Sequence, residues 1–433
     1  MNPNVRMGHM TLYHASGSPT AELSTEDLRA ALEGVLEKFE PLRRVVAVPP
    51  DYSRVHSRAG LLTCLAHNFL GDRMVDVIPA VGTHVEMNQL DREKMFPTIP
   101  ADLFRYHNWR TDVETVGEVP ADFVTQVTDG IYRKPWPAQL NRLVWQGGHD
   151  LILSIGQVVP HEVIGMANYN KNLLVGTGGV RGINESHYIG AVYGMQRIMG
   201  RALTPLRKIL NYAHDHYCQH LPLLFVQTVI GRNQAGHLVV RGLFIGDDVE
   251  CFLQACELSL KVNFELVPEP LSKVVVYLDP KEFHSTWLGN KAIYRTRMAI
   301  ADGGELVVLA PGVGTFGEDP AIDTQIRKHG YRTTPEILRA VDTDATLREN
   351  LSAAAHLIHG SSEGRFKITY CPGKLSQAEI EGVGYHYAPL AEQMTRYPIE
   401  TMTDGQQTLP SGEQVFFVRN PALGLWAHRS QME

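Results

Sequence analysis

Three short apolar runs in this chain each end in residues that could do chemistry. Arg44-Val-Val-Ala-Val48 leads into Pro49-Pro-Asp51-Tyr-Ser-Arg54, Met74-Val-Asp-Val-Ile78 into Val81-Gly82-Thr83-His84, and Leu151-Ile-Leu-Ser-Ile155 into Gly156-Gln-Val-Val-Pro160-His161. An imidazole with a pKa near neutrality can accept or donate a proton in a reversible reaction. The Arg54 guanidinium is a natural bidentate clamp for a carboxylate or phosphate. Taken alone, each position has an ordinary structural explanation: Asp51 could cap a helix, Arg54 could pair with a surface carboxylate, and a lone His after a strand is more often structural. Recurrence at three successive strand ends points instead to a site, because open α/β sheets hold their ligands at the carboxyl ends of their strands.

Lys171 follows His161 by ten residues, and His187 lies sixteen residues further on, beyond the glycine-bearing loop Gly176-Thr-Gly-Gly179 and Arg181-Gly182. Glycines in that number suggest backbone approaching a phosphate or a flat ligand. The pattern fits neither the dinucleotide fingerprint nor the P-loop, so a nicotinamide dinucleotide or ATP site is not supported. A competing cluster is His214-Asp-His216-Tyr-Cys218-Gln-His220, which could bind zinc if the segment were extended. In a helix those side chains point in different directions, and histidines near a helix C-terminus are favourable without a metal.

The elements that must position these groups read as α/β. Ser24-x-x-Asp27 is a capping-box pattern, followed by Leu28, Leu32, Val35, Leu36 and Phe39 at helical spacing. Continuously apolar short runs are the strands of buried parallel sheets, and the segment from Ser57 to Leu70 reads as the helix between two of them. Leu223 to Ile230 and His237 to Ile245 form an expected hairpin around Gly231-Arg-Asn-Gln-Ala-Gly236. Val267-Pro-Glu-Pro270 interrupts both helix and strand, which places a domain boundary there. Beyond it we expect a strand over Val274–Leu278, a helix from about Lys291 to Ala301, a turn at Gly303-Gly304, and strands at Leu306–Leu309, Phe366–Tyr370 and Val415–Val418. The expectation is two α/β domains with mostly parallel sheets, residues 1–268 and 269–433, and an active-site cleft between them.

Composition narrows the function class. With 433 residues and 44% hydrophobic content the chain can bury sizeable cores. Its 40 Lys plus Arg against 47 Asp plus Glu give a net charge of −7, which supplies no basic surface for nucleic acid. No apolar run approaches the roughly 18 residues of a membrane span, and Met1 to Ser18 lacks the pattern of a signal peptide, so a soluble, cytoplasmic protein is expected. The five cysteines contain no CxxC, against a disulfide framework or thiolate zinc site. The 19 histidines outnumber the 14 Phe.

Asp51-Tyr-Ser-Arg54, Gly82-Thr-His84, Ile155-Gly-x-Val-x-Pro-His161, Lys171, and His187 preceded by Ile183-Asn184 together resemble the nickel-dependent lactate racemase family, whose members racemise or epimerise 2-hydroxy acids with a nickel-pincer nucleotide. The resemblance implies that Lys171 forms the thioamide link to the cofactor, a pyridinium-3-thioamide-5-thiocarboxylate mononucleotide, and that His187 ligates its nickel. It makes His84 and His161 the acid/base pair and has Asp51 orient neighbouring polar groups. Arg54 and Lys291, the latter in Trp287-Leu-Gly-Asn-Lys291, become substrate-binding residues. Cofactor-synthesis enzymes are implied as partners in maturation, beside a small 2-hydroxy acid substrate and a homo-oligomeric state left open.

Hydride transfer suits such a substrate. Its α-proton is very weakly acidic beside an anionic carboxylate, so one histidine takes the hydroxyl proton while the α-hydrogen leaves as hydride. The chain departs from the family pattern at Ala167-Asn168-Tyr169-Asn170, where a Ser-Gly-Gly-Ala stretch is usual, and at Leu288, where lactate racemases tend to carry Gln. Lactate, a longer aliphatic acid and a sugar acid are therefore all open as substrates. The competing functions are a zinc-dependent hydrolase or lyase built on His214–His220 and a non-catalytic small-molecule binding protein.

Overall fold

The Ser24 capping box is formed: the Ser24 hydroxyl accepts from the Asp27 amide and the Asp27 carboxylate from the Ser24 amide, starting a helix over Thr25–Leu36 that buries Leu28, Leu32, Val35 and Leu36. The structure is a computed structural model describing residues 11–422 and 424–431. Residues 1–10, on which the leader reading partly rests, lie outside the described residues. Contacts divide the chain into two compact units, one of residues 1–186 and 200–263, the other of residues 187–199 and 264–433. The helix Val180–Tyr193 therefore contributes its first half to one unit and His187 onward to the other.

The first unit is built on a six-stranded sheet of β1 (Leu12–Gly17), β2 (Val45–Val48), β3 (Met74–Val77), β4 (Leu151–Gln157), β5 (Leu223–Arg232) and β6 (Leu238–Gly246), in the order β1-β6-β5-β4-β2-β3. The three strands that carry candidate residues at their ends, β4, β2 and β3, are adjacent and parallel. Every residue of β2 and β4 is buried, as expected of strands covered on both faces. Val45 and Ala47 enter one apolar core with the helices Thr25–Leu36 and Ala59–Leu70, whereas Val46 and Val48 enter another with Phe225 and Phe252. The expected hairpin is present as the antiparallel pair β5–β6.

The second unit has its own six-stranded sheet: β7 (Leu271–Tyr277), β8 (Ile300–Ala310), β9 (Lys367–Pro372), β10 (His386–Tyr387), β11 (Gly405–Thr408) and β12 (Gln414–Val418), ordered β10-β9-β8-β7-β12-β11. All its pairings are parallel except β11–β12. One expectation fails here. The helix that begins at Lys291 stops at Thr296, and β8 starts at Ile300 and runs through Gly303-Gly304, which are not a turn between elements. Leu271 pairs with Ile300 and Lys273 with Glu305, so the extra residues of β8 form a bulge, and Gly303 supplies its left-handed backbone at φ 76°. Among the described residues no helix is long and apolar enough to cross a membrane.

Candidate active site

The carboxyl ends of β2 and β3 deliver Asp51 and His84 to one another. His84 Nδ1–H donates to Asp51 Oδ2 at 2.6 Å, and Asp51 Oδ1 accepts from the Ser53 hydroxyl at 2.5 Å and the Ser53 amide at 3.1 Å. The capping explanation for Asp51 is thus also true, since Asp51 opens the 3₁₀ turn Tyr52–Ser57. Burial would raise the Asp51 carboxyl pKa, but His84, Ser53 and the Arg54 cation together hold it below the ordinary carboxylate value. Asp51 is therefore an anion at neutral pH. An ionised carboxylate only accepts, so it fixes a His84 proton on Nδ1, and whenever the ring is neutral the lone pair is on Nε2.

Arg54 sits three residues on, with non-helical backbone inside the same turn. Its guanidinium makes no hydrogen bond or ion pair among the described residues, which leaves the surface-pairing explanation without a carboxylate and the fork open for a ligand.

His161 is buried at the end of a two-residue strand that follows β4. Its Nδ1 accepts the Val163 amide at 3.1 Å and lies 3.9 Å from Glu162 Oε2. A neutral ring that accepts at Nδ1 carries its proton on Nε2. His84 and His161 are thus held in opposite tautomers, a lone pair at Nε2 on one and a hydrogen at Nε2 on the other.

Lys171 lies on the short helix Asn170–Leu174, and its amine forms no hydrogen bond or ion pair among the described residues. Burial is the main cause that pushes this amine down to about 8, with Arg54 and Arg207 adding to the shift and Glu162 and Asp51 opposing it. Asp51, Arg54, His84 and Lys171 therefore share one electrostatic neighbourhood in the first unit, with Glu162 and its neighbour His161 at its margin. His187 and Lys291 belong to the second unit. His187 is partly exposed on the helix Val180–Tyr193, and Lys291 is buried, its ammonium 5.7 Å from the centre of the Phe283 ring.

The glycines of the loop are required by close packing within the chain. A Cβ on Gly176 would meet the Ala80 methyl at 2.8 Å, one on Gly178 the Leu174 carbonyl at 2.2 Å, and one on Gly179 the Gln139 amide at 2.5 Å. The space is taken by the chain itself. What the loop does is tie the site together: Gly82 N–H donates to Gly176 O at 2.8 Å, and buried His107 donates from Nε2 to Gly178 O at 3.0 Å while its Nδ1 accepts from Asn141. Gly82 reaches its bond in left-handed backbone, φ 58°.

Residues 13–198 match the family described as the lactate racemase N-terminal domain. That stretch of the chain is similar to this family. The fold of the chain is similar to that of two solved structures. The first is the crystal structure of a Thermotoga maritima protein, 22% identical, covering 94% of this chain and 99% of that one with a TM-score of 0.81. The second is the lactate racemase apoprotein from Thermoanaerobacterium thermosaccharolyticum, 14% identical, covering 95% and 94%, with a TM-score of 0.70. A comparison with curated proteins finds no match.

The His214–His220 segment does not converge on a point. It ends the helix Pro205–Tyr217, where His214 pairs with Asp215, His216 donates to Tyr212 O at 2.8 Å and His220 packs edge-on against Trp145. Among the described residues no group of three or more His, Cys, Asp or Glu could hold a metal ion. The zinc-cluster reading loses its geometry. Sequence reasoning also passed over Ser53, Glu162 and Arg207, all adjacent to or in contact with residues it singled out. For the first two, immediate neighbourhood to Asp51 and His161 was the available signal.

Proposed function

We propose that this chain is an isomerase that inverts the C2 configuration of a 2-hydroxy acid, a racemase or epimerase carrying a nickel-pincer nucleotide on Lys171. The observation that carries the reading is the Lys171 amine: half-buried, uncommitted, pushed down to about 8, and set beside the open Arg54 guanidinium and the Asp51–His84 pair. A stable fold has no need of such an amine, and a simple binding protein would give it nothing to do.

The residues fit such a cofactor. Lys171 would attach it, and His187 would ligate the nickel. A pincer would bring donors of its own, so a single histidine is all the protein would have to supply. Gln157 Nε2 and Asn168 Nδ2 are buried donors with no partner among the described residues, one at the end of β4 and the other three residues before Lys171, and a bound group with acceptor atoms would satisfy them. When bound, the nickel-pincer nucleotide supplies a carbon that accepts the α-hydrogen as hydride and gives it back.

The chain's own residues do the rest. Arg54 would hold the substrate carboxylate through two parallel hydrogen bonds, with Lys291 as a second cation for the substrate. His84, its Nε2 lone pair fixed by Asp51, would take the hydroxyl proton of one enantiomer, and Asp51 would stabilise the imidazolium that results. His161, presenting Nε2–H, would give a proton to the oxygen of the 2-oxo acid when it is reduced from its other face. For the opposite direction the two exchange roles. Leu288 and the Ala167–Asn170 stretch leave the side chain of the hydroxy acid open. Maturation would require cofactor-synthesis enzymes, and a cytoplasmic location fits that partnership.

The deciding experiment is intact mass and nickel analysis of protein produced together with pincer-synthesis enzymes. An adduct on the peptide containing Lys171, absent after Lys171→Ala, is the expected result; an unmodified, nickel-free protein under those conditions overturns the reading.

A further inference from the structure

Arg207 is fully buried, and among the described residues no carboxylate lies within ion-pair distance of it. A buried guanidinium without a counter-ion is costly unless its protons are bonded. Here the two terminal nitrogens bond to one short stretch, Met166 O at 2.8 Å, Asn168 O at 3.2 Å and the Asn170 side-chain oxygen, while Nε has no partner among the described residues. Its plane also rests 4.2 Å from the centre of the Phe252 ring.

That stretch is the backbone leading into Lys171, and it is unusual. Asn168 has φ 68°, and Tyr169 has φ 58° with ψ −139°, a combination that favours glycine. The Tyr169 ring cannot be given up lightly, because it packs 4.3 Å from Phe225 and stacks on Phe252 at 5.3 Å. The turn is thus pinned by its ring on one side and by Arg207 through its carbonyls on the other. Asn170 is braced further by donating to Asn211 at 2.7 Å.

We propose that Arg207 is the positioning residue for Lys171: its guanidinium clamps the left-handed Asn168–Tyr169 turn and so aims the Lys171 amine. The inference rests on Lys171 being the attachment residue. It assigns Arg207 no contact with cofactor or substrate. The cation has a second effect in the same direction, since it joins Arg54 in disfavouring the protonated amine, against Glu162 and Asp51.

Acetylation of Lys171 by acetic anhydride, followed by peptide mass spectrometry of the full chain as a function of pH, reads both effects without any cofactor. The plateau rate at high pH reports how the amine is presented, and the midpoint reports its charge environment. Arg207→Met is expected to lower the plateau about tenfold, in line with the sensitivity of reactions to small misplacements. It is also expected to raise the midpoint slightly, because a neighbouring cation is gone and Arg207 is the smallest of the influences on the amine. Labelling of the exposed Lys261 and Lys328 stays unchanged. Arg207→Lys keeps the charge but not the fork, so it should keep the midpoint and lose the plateau. A purely structural role would lower the melting temperature without moving the midpoint. An unchanged or raised plateau in Arg207→Met, with an unmoved midpoint, overturns the proposal. Should that variant not fold, Asn170→Ala, which removes one anchor and leaves Arg207 in place, is expected to lower the plateau, and a wild-type plateau there overturns it equally. The two readings fail separately: a labelling defect in Arg207→Met beside a wild-type protein that never acquires an adduct removes the racemase reading alone, whereas wild-type labelling beside normal adduct formation removes the positioning role alone.

Discussion

His84 Nδ1–H donates to Asp51 Oδ2 at 2.6 Å, joining the loops that leave two adjacent parallel strands. The bond sets the tautomer of the imidazole, and Asp51 can set it because its own carboxyl is held ionised by His84, Ser53 and Arg54 against the effect of burial. The arrangement at His161 is the opposite one, its Nδ1 accepting the Val163 amide.

Asp51→Asn tests that relationship with little change of shape. Ser53 already donates twice to Oδ1, so the amide oxygen would keep that place and the NH₂ would turn to His84. His84 would then have to accept at Nδ1 and carry its proton on Nε2, the wrong form for a base. The expected loss is about 10² to 10⁴ in kcat, with the mass adduct on Lys171 retained. Near-normal turnover in this variant would remove Asp51 from the mechanism.

Lys171 costs stability at neutral pH. Its folded pKa, about 8, lies below the ordinary 10.5, so folding disfavours the protonated form. Below about 8 the penalty is present in full; between there and 10.5 the unfolded chain binds more protons than the folded one and stability rises with pH; above 10.5 the effect is gone. Lys171→Met should therefore stabilise the cofactor-free protein at pH 7 by roughly 1–3 kcal/mol, an advantage that shrinks across that window. Thermal melts of both proteins from neutral to alkaline pH measure it, and a gain that does not depend on pH contradicts the titration argument.

The strands that carry the candidate residues at their ends were readable because strand runs are local. Runs such as Val45–Val48 and Leu151–Gln157 are apolar throughout, and their parallel neighbours bring the residues that follow them side by side. The pairing partner of a strand is not local, and this is where reading failed. Ile300 belongs to a strand because Leu271 pairs with it, and without that partner Ala299 to Ala301 continues the helical pattern after Lys291. The packing role of the glycines at 176 and 179 was hidden for a related reason, since the Ala80 methyl and the Gln139 amide, far along the chain, occupy the space of their missing side chains. Arg207 is far along the chain from Lys171 and carries no motif, so only the folded structure shows what it holds.

Glu305 predicts the acid behaviour of the second unit. Burial would raise its carboxyl, but Thr369, Lys367 and Lys273 outweigh that and hold it down to about 2. A depressed folded pKa stabilises above the ordinary glutamate value and is lost as pH falls through the folded one. Glu305→Gln should cost about 1–2 kcal/mol at pH 7 after allowance for the half-exposed Lys367. The gap between the variant and the wild type should narrow as pH drops from about 4.5 towards 2. Melting curves taken across that acid range decide it; equal melting temperatures at pH 7 would mean that solvent screens the cluster completely.

The two histidines should also be separable by enantiomer. Oxidation of a 2-hydroxy acid needs one base beside its hydroxyl, and inversion needs a second on the other side to protonate the oxygen of the reduced product. Removing either histidine therefore blocks racemisation, but it leaves the first half of the reaction intact for the enantiomer whose hydroxyl faces the survivor. His84→Ala and His161→Ala proteins, loaded with cofactor and mixed with each pure enantiomer in turn, should form enzyme-bound 2-oxo acid from opposite hands. Acid quench and trapping of the oxo acid with a hydrazine reads the yield. If both variants favour the same enantiomer, the two imidazoles do not flank the substrate; if either variant racemises normally, that histidine is not an acid or a base in the reaction.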